Sequence, residues 1–360
     1  MIKKVIACLC LAALIFCGVE AMRLSGVSLT FKPLSNESDE LRGDGEATQA
    51  PRVALATAAP GTTATPLQPV ARGSQSDETS VTLYFRYHLS SYLGREERAV
   101  SVPRDDAVEL TIVQALIAGP SSTYQELNPL FPPDTQVVAT RRSGNMVTVT
   151  LSRAFLGAPA DAPQNWQSYD YWVQETVLRR RLAAQSIVSA LTENGRCERV
   201  QILIAAAEGD IQGERIPRAL LYADETDPHI ALEPFARNED VILTPRSAAR
   251  AILSLWQSKS WDALYGFMSR GTAGGGDASL PAQTEFLSEV STRACSLLGY
   301  SVGSGSVSVD GKRATVNVSL QIQRSDGRRM GIDDIPLPLI LENDNWKMTY
   351  ASLQALMDHS

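Results

Sequence analysis

The chain has 360 residues, 44% of them hydrophobic, and a formal net charge of −7. That length leaves room for two globular domains and further segments, at roughly 100 to 200 residues per domain. The acidic balance supplies no long-range attraction to nucleic acid or to an anionic lipid surface, so nucleic acid is excluded as the expected partner.

Lys3 and Lys4 precede an apolar run from Val5 to Val19, which Glu20 ends. Roughly 15 residues at ~1.5 Å each span ~22 Å, short of a ~30 Å hydrocarbon core, so the core of a signal peptide fits better than a spanning helix. Residues 1–21 are therefore read as a signal peptide or membrane anchor, and the remainder as exported. Leu14-Ile15-Phe16-Cys17 is similar to a bacterial lipobox, with bulky Phe16 where a small residue is usual, which makes Cys17 the candidate lipidation site. Cys8 and Cys10 lie in the same run, leaving Cys197 and Cys295 for folded regions, where free thiols are expected. Residues 22–80 shift to Ala, Thr, Pro, Ser and Gly without periodicity and read as a flexible tether.

The first domain is placed at 81–222. Val81, Leu83, Phe85 and Tyr87 alternate with Thr82, Tyr84 and Arg86, the period of a half-buried strand. Asp105 to Pro120 reads as an amphipathic helix, with Asp106 as N-cap and Glu109 at the capping-box position. Val108, Ile112, Val113, Leu116 and Ile117 form its buried stripe, and Gly119-Pro120 stops it. A hairpin follows: Gln136 to Thr140, a turn at Ser143-Gly144-Asn145, and Met146 to Leu151. A second helix runs from about Tyr169 to Glu193, and Val200, Ile202 and Ile204 alternate in a last strand. Strand, helix, hairpin, helix, strand is a split βαβ-like order, a mixed sheet with two helices on one face.

Several phrases in that order carry a family resemblance: Leu83 to Phe85, Ala115 to Pro120, Phe131 to Val138, Val147 to Leu156, Ser186 to Gly195 and Val200 to Ile204. Together they resemble a GerMN domain, the sporulation and spore-germination domain also found in some bacterial envelope lipoproteins. The resemblance implies an extracytoplasmic, non-catalytic module and brings no catalytic residue. The stretch from Gly157 to Tyr171, with Trp166 and Tyr169, looks longer than typical.

Residues 223–240 read as a linker and 241–360 as the second domain. Thr244-Pro245 is an N-cap and first-turn pair, followed by Ala248, Ala251, Ile252, Leu255 and Trp256 on one helical face. Trp261 to Met268 reads as a short helix, Gly274 to Ser279 as a loop, and a third helix from about Thr284 is expected to carry Phe286, Leu287, Val290, Leu297 and Leu298. Alternating strands then turn at Asp310-Gly311, Asp326-Gly327 and Asn343 to Asn345, ending with a strand from Trp346 to Tyr350. Three helices before a curled antiparallel sheet make an α+β cone. Thr244 to Ser269 and Leu339 to Tyr350 resemble the nuclear-transport-factor-two-like superfamily, whose cone often encloses a pocket. That superfamily holds both enzymes and binding modules.

Catalytic signatures are sparse. His88, His229 and His359 do not share metal-ligand spacing, and there is no nucleophile elbow, phosphate-cradling glycine loop or paired-cysteine motif. No catalytic residue, metal ligand or cofactor is expected. Asp333-Asp334 reads as a loop entering a strand, and Arg179, Arg180 and Arg181 as a solvated helix face. Trp256, Trp261 and Trp346 are the candidate pocket residues in the cone, set against their ordinary use as core. The favoured function is a non-catalytic envelope protein of sporulation, germination or wall-associated assembly. Its expected partners are envelope proteins or peptidoglycan, the membrane through the N-terminal segment, and a further copy through self-association. The alternative is a small-ligand binder or hydrolase using the cone.

Overall fold

A computed structural model describes residues 76–103, 107–195, 197–271, 280–293, 295–324 and 327–358. The expectations for residues 1–21 (Cys17 included), Asp106, the 274–279 loop, Asp326 and His359 fall outside these residues. The described residues belong to one compact unit. It is an α+β structure with several sheets.

The chain enters with strand β1 (Ser76–Tyr87), which pairs antiparallel with β2 (Leu93–Pro103) from Ser76↔Pro103 to Arg86↔Leu93. The strand thus begins five residues inside the stretch read as tether. Nor is β1 half-buried: Tyr84 and Arg86 are as deeply enclosed as Leu83 and Phe85. Its second face is covered because Arg86 pairs with Glu175 on the long helix, and the Tyr84 hydroxyl accepts from Arg237 at 3.0 Å. Strand β2 was not anticipated; its sequence, LGREERAVSVP, carries charges that mask the alternation.

Helix α1 (Val108–Ala118) buries Ile112, Val113 and Leu116, as its stripe predicts. Gly119 ends it at φ 91°, a backbone region that glycine enters without steric cost. Its N-cap position is Ala107, with no side-chain cap; Glu109 instead pairs with Arg142. After the short β3 (Leu127–Asn128), which pairs with β1, come β4 (Val137–Ser143) and β5 (Met146–Leu151) around Gly144 at φ 58°.

Helix α2 (Asp170–Gly195) crosses back, and β6 (Arg199–Ile204) lies parallel to β5. The second sheet runs β4-β5-β6-β7, where β7 is Glu214–Arg215. Strand β8 (Phe235–Ala236), inside the predicted linker, also pairs with β6. Arg237 beside it reaches Glu193 at 2.7 Å.

The second half opens with α3 (Pro245–Gln257), whose Thr244 and Ser247 form a reciprocal capping box. Helix α4 (Trp261–Tyr265) is shorter than expected and α5 (Gln283–Thr292) closes the helical layer. Leu297 and Leu298, expected on this last helix, are not on it. Arg293 turns extended, and Leu297 pairs opposite Ile322 in β9 (Ser296–Val307). Strands β10 (Arg313–Gln323), β11 (Arg329–Glu342) and β12 (Asn345–Lys347) complete a curled antiparallel sheet of order β12-β11-β10-β9. The predicted Trp346 to Tyr350 strand stops at Lys347, because Tyr350–Asp358 forms a helix, α6, that buries Leu353, Leu356 and Met357.

Candidate functional site

The most chemically loaded place among the described residues lies where the two halves meet. It begins with a local strain. His88, just past β1, sits at φ 47°, which carries its ring over Gly266 at the end of α4. The Nε2–H donates to the Gly266 carbonyl at 3.0 Å, and the Tyr87 hydroxyl donates to the same oxygen at 2.9 Å. Burial lowers the His88 pKa, aided by the Lys347 and Arg270 charges and opposed by the Gly266 hydrogen bond and Glu126, so the ring is held neutral.

The hairpin between β11 and β12 enters from the other half. Its two-residue turn, Asn343-Asp344, has both residues at positive φ (50° and 57°), the conformation that tight hairpins require and Asn and Asp tolerate. Asn345, fully buried, reads the β2 backbone like another strand: its Oδ1 accepts from Arg95 N–H at 2.8 Å and its Nδ2 donates to Arg95 O at 3.1 Å. Tyr124 donates to Asp344 Oδ2 at 2.6 Å, and burial together with that carboxylate pushes the phenol pKa up.

Lys347 is the centre. Its side chain is 5% exposed and its Nζ donates to Glu126 Oε1 at 3.1 Å and Glu342 Oε1 at 3.0 Å. Asn343 adds a donor to Glu126 Oε1, and Ser269 hydroxyl donates to Glu342 Oε2 at 2.6 Å. Burial would raise the Glu342 pKa, but the Ser269 hydrogen bond and the Lys347 charge outweigh it and leave the carboxyl below its usual range. A cavity of about 460 Å³ opens beside this network, walled by residues of both halves, including Leu89, Leu255, Tyr265, Met268 and Arg270.

The tryptophans expected to line a pocket sit elsewhere. Trp256 and Trp346 are buried and Trp261 packs partly buried on the core; none of the three lines this cavity. Asp333 and Asp334 lie within β11 rather than in a loop before it, exposed and opposite a register shift between Val318 and Leu320. The arginine run is not a solvated face. Arg179 pairs with Glu175 and Asp161, buried Arg180 donates to the Leu156 and Gly157 carbonyls, and Arg181 lies over Tyr222. This clamp holds the long stretch before α2 onto the helix. His229 is exposed, Cys197 and Cys295 are free thiols, and no three His, Cys, Asp or Glu side chains are grouped to hold a metal among the described residues.

Sequence reasoning missed the junction. Glu126 and Lys347 are 221 positions apart. The only local signal was the Asn343-Asp344 turn, which ends three positions before Lys347 and sets the strand that carries it.

With this geometry in place, comparison with known proteins finds a similarity within the first half. Residues 82–208 match the family Germane, described as sporulation and spore germination. The GerMN resemblance is thereby borne out over residues 82–208. No curated protein is significantly similar to the chain. Among solved structures, the tandem GerMN domains of the sporulation protein GerM from Bacillus subtilis align over 46% of this chain and 46% of that one, at 15% identity and TM-score 0.29. The chain thus spans about half the length of that relative. A putative lipoprotein from Clostridium perfringens aligns over 46% of this chain and 90% of its own, at 17% identity and TM-score 0.24. The first GerMN domain of the Bacillus subtilis protein aligns over 38% of this chain and 91% of its own, at 16% identity and TM-score 0.23. Scores this low leave the fold of the present chain to be read from its own topology.

Proposed function

We propose that the chain is a non-catalytic, extracytoplasmic envelope protein of sporulation, germination or wall-associated assembly, acting by binding an envelope protein or peptidoglycan. The observation that carries this reading is the family match over residues 82–208. The apolar run after Lys3 and Lys4 serves as signal peptide or anchor, with Cys17 as the place for a lipid. The second half, similar to the nuclear-transport-factor-two-like cone, serves as a scaffold fused to the first.

The interior under α3 supports that division of labour. Ala314, Val316, Val318, Leu320 and Ile322 alternate into it from β10 and meet Leu337, Leu339, Ile252 and Trp256, all buried. These side chains are apolar and none titrates, so they bring no acid-base pair to that interior.

Cell fractionation tests the location: the chain is expected in the membrane or wall fraction, and recovery in the soluble cytosol overturns the envelope reading. Co-sedimentation of the full chain with peptidoglycan sacculi then separates the two partner classes. Saturable pelleting favours the wall; absence of pelleting assigns binding to an envelope protein, to be identified by crosslinking in cells.

A further inference from the structure

The junction cavity is chemically unlike the apolar interior under α3, and its polar groups are not exhausted by the network around it. Glu126, with its side chain 9% exposed, uses only Oε1 in its contacts with Lys347 and Asn343; Oε2 has no partner among the described residues. Lys347 can donate three hydrogen bonds and spends two, on Glu126 and Glu342. Arg270 holds Glu342 through its backbone N–H at 3.1 Å, while its guanidinium makes no hydrogen bond or ion pair with any described residue. A partly enclosed cavity with spare donors and acceptors on its wall offers them to a guest.

The lining carries both signs, Glu126 and Asp262 beside Arg270 and Lys347, with Glu342 behind Lys347. His88, held neutral, adds no charge. Leu89, Leu255, Tyr265, Phe267 and Met268 give it an apolar and aromatic wall, and Ser90, Gln283 and Asn343 add uncharged polar groups. A volume of about 460 Å³ falls at the small end of ligand sites. A purely anionic guest would sit against Glu126 and Asp262, and a purely cationic one against Lys347 and Arg270. A net-neutral guest carrying both charges on an apolar body meets every group with its complement.

We propose that this cavity is a binding site for a small zwitterion of the amino-acid or dipeptide class with an apolar side chain. The ligand ammonium donates to Glu126 Oε2, the ligand carboxylate takes Arg270 and the third Lys347 proton, and the side chain lies on Leu255 and Met268. Because the walls come from both halves, occupancy fastens them together. The site does not depend on the envelope reading, and a failure to bind sacculi leaves it standing.

Isothermal titration of the full chain tests it, with L-leucine and L-phenylalanine as probes and leucinamide and N-acetyl-leucine as analogues lacking one charge each. Saturable binding of at least one amino acid is expected, with each analogue weaker by about tenfold or more. Arg270→Ala, at an exposed side chain without a hydrogen-bond or ion-pair partner among the described residues, is expected to keep the fold and to weaken the amino acid by about tenfold while leaving leucinamide unchanged. Absence of heat from both amino acids up to about 10 mM overturns the site. Equal binding of the analogues, or an Arg270→Ala variant that binds like the parent, overturns the zwitterion assignment.

Discussion

Lys347 shows what one buried charge does when two carboxylates enclose it. With its side chain 5% exposed and partners at 3.0 and 3.1 Å, its removal strands Glu126 and Glu342 in a poorly solvated place. Lys347→Met is expected to destabilise the fold by about 3 to 5 kcal/mol, read as a drop in the urea midpoint with unchanged slope. Adding Glu126→Gln and Glu342→Gln should recover part of that loss, since the stranded charges are then gone. No recovery in the triple variant would show that packing, not charge, sets the cost. His88 supplies a second effect in a different pH window. Its folded pKa lies below the ordinary value, so the unfolded chain binds the proton more readily. Its contribution is complete above about pH 6.5 and is lost as pH falls below it. Glu342, whose folded pKa is also lowered, contributes above its ordinary value of 4.5 and loses that only at more acid pH. Melting temperature should therefore decline between about pH 7 and 5.5 in the parent and stay level in His88→Asn, because Asn tolerates φ 47° and does not titrate there. An identical slope in both proteins would remove His88 as the cause.

At the level of elements, β2 is the docking strip for the second half, and Gly94 is its closest approach. A Cβ there would stand 2.5 Å from Asn345 Oδ1 and 2.7 Å from Leu127 Cδ2, so Gly94→Ala pushes the β11–β12 hairpin off the strand. A loss of about 1 to 3 kcal/mol is expected, the range for overpacking, measured by thermal or urea unfolding. Wild-type stability in this variant would show that the hairpin has slack to move. Helices α1 and α3 were legible because their stripes and stop or cap residues are local: Ile112, Val113 and Leu116 before Gly119, and Thr244-Pro245 before Ala248 and Ile252. Strand β2 was not, since Arg95, Glu96, Glu97 and Arg98 conceal the alternation that Val100 and Val102 keep. Glu96 is itself buried, with Arg98 and the Ser121 N–H as partners, an arrangement composition alone reads as solvent-facing. Leu297 and Leu298 were misplaced for the reverse reason: their apolar spacing continues the α5 pattern, while the extended Arg293 breaks the helix before it reaches them.

On the scale of the molecule, the two halves share buried contacts: Tyr87 and His88 on Gly266, Asn345 on Arg95, and Lys347 on Glu126. Opening the junction would expose these groups without partners, so neither half is expected to unfold ahead of the other. Scanning calorimetry of the full chain should show one transition with matching calorimetric and van't Hoff enthalpies, and two resolved transitions would contradict the coupling. The sequence by itself determined the α+β class, the order of most elements, the capped helices and the GerMN character of the first half, because these depend on periodicity and turn chemistry within a few residues. Only the tertiary structure decided that the linker contributes β8 to the first half, that the arginine run clamps a loop, and that Glu126 and Lys347 meet. Contacts between the halves join residues up to 250 positions apart, and nothing in local propensity distinguishes a charge that will be buried against a distant partner from one that will face water.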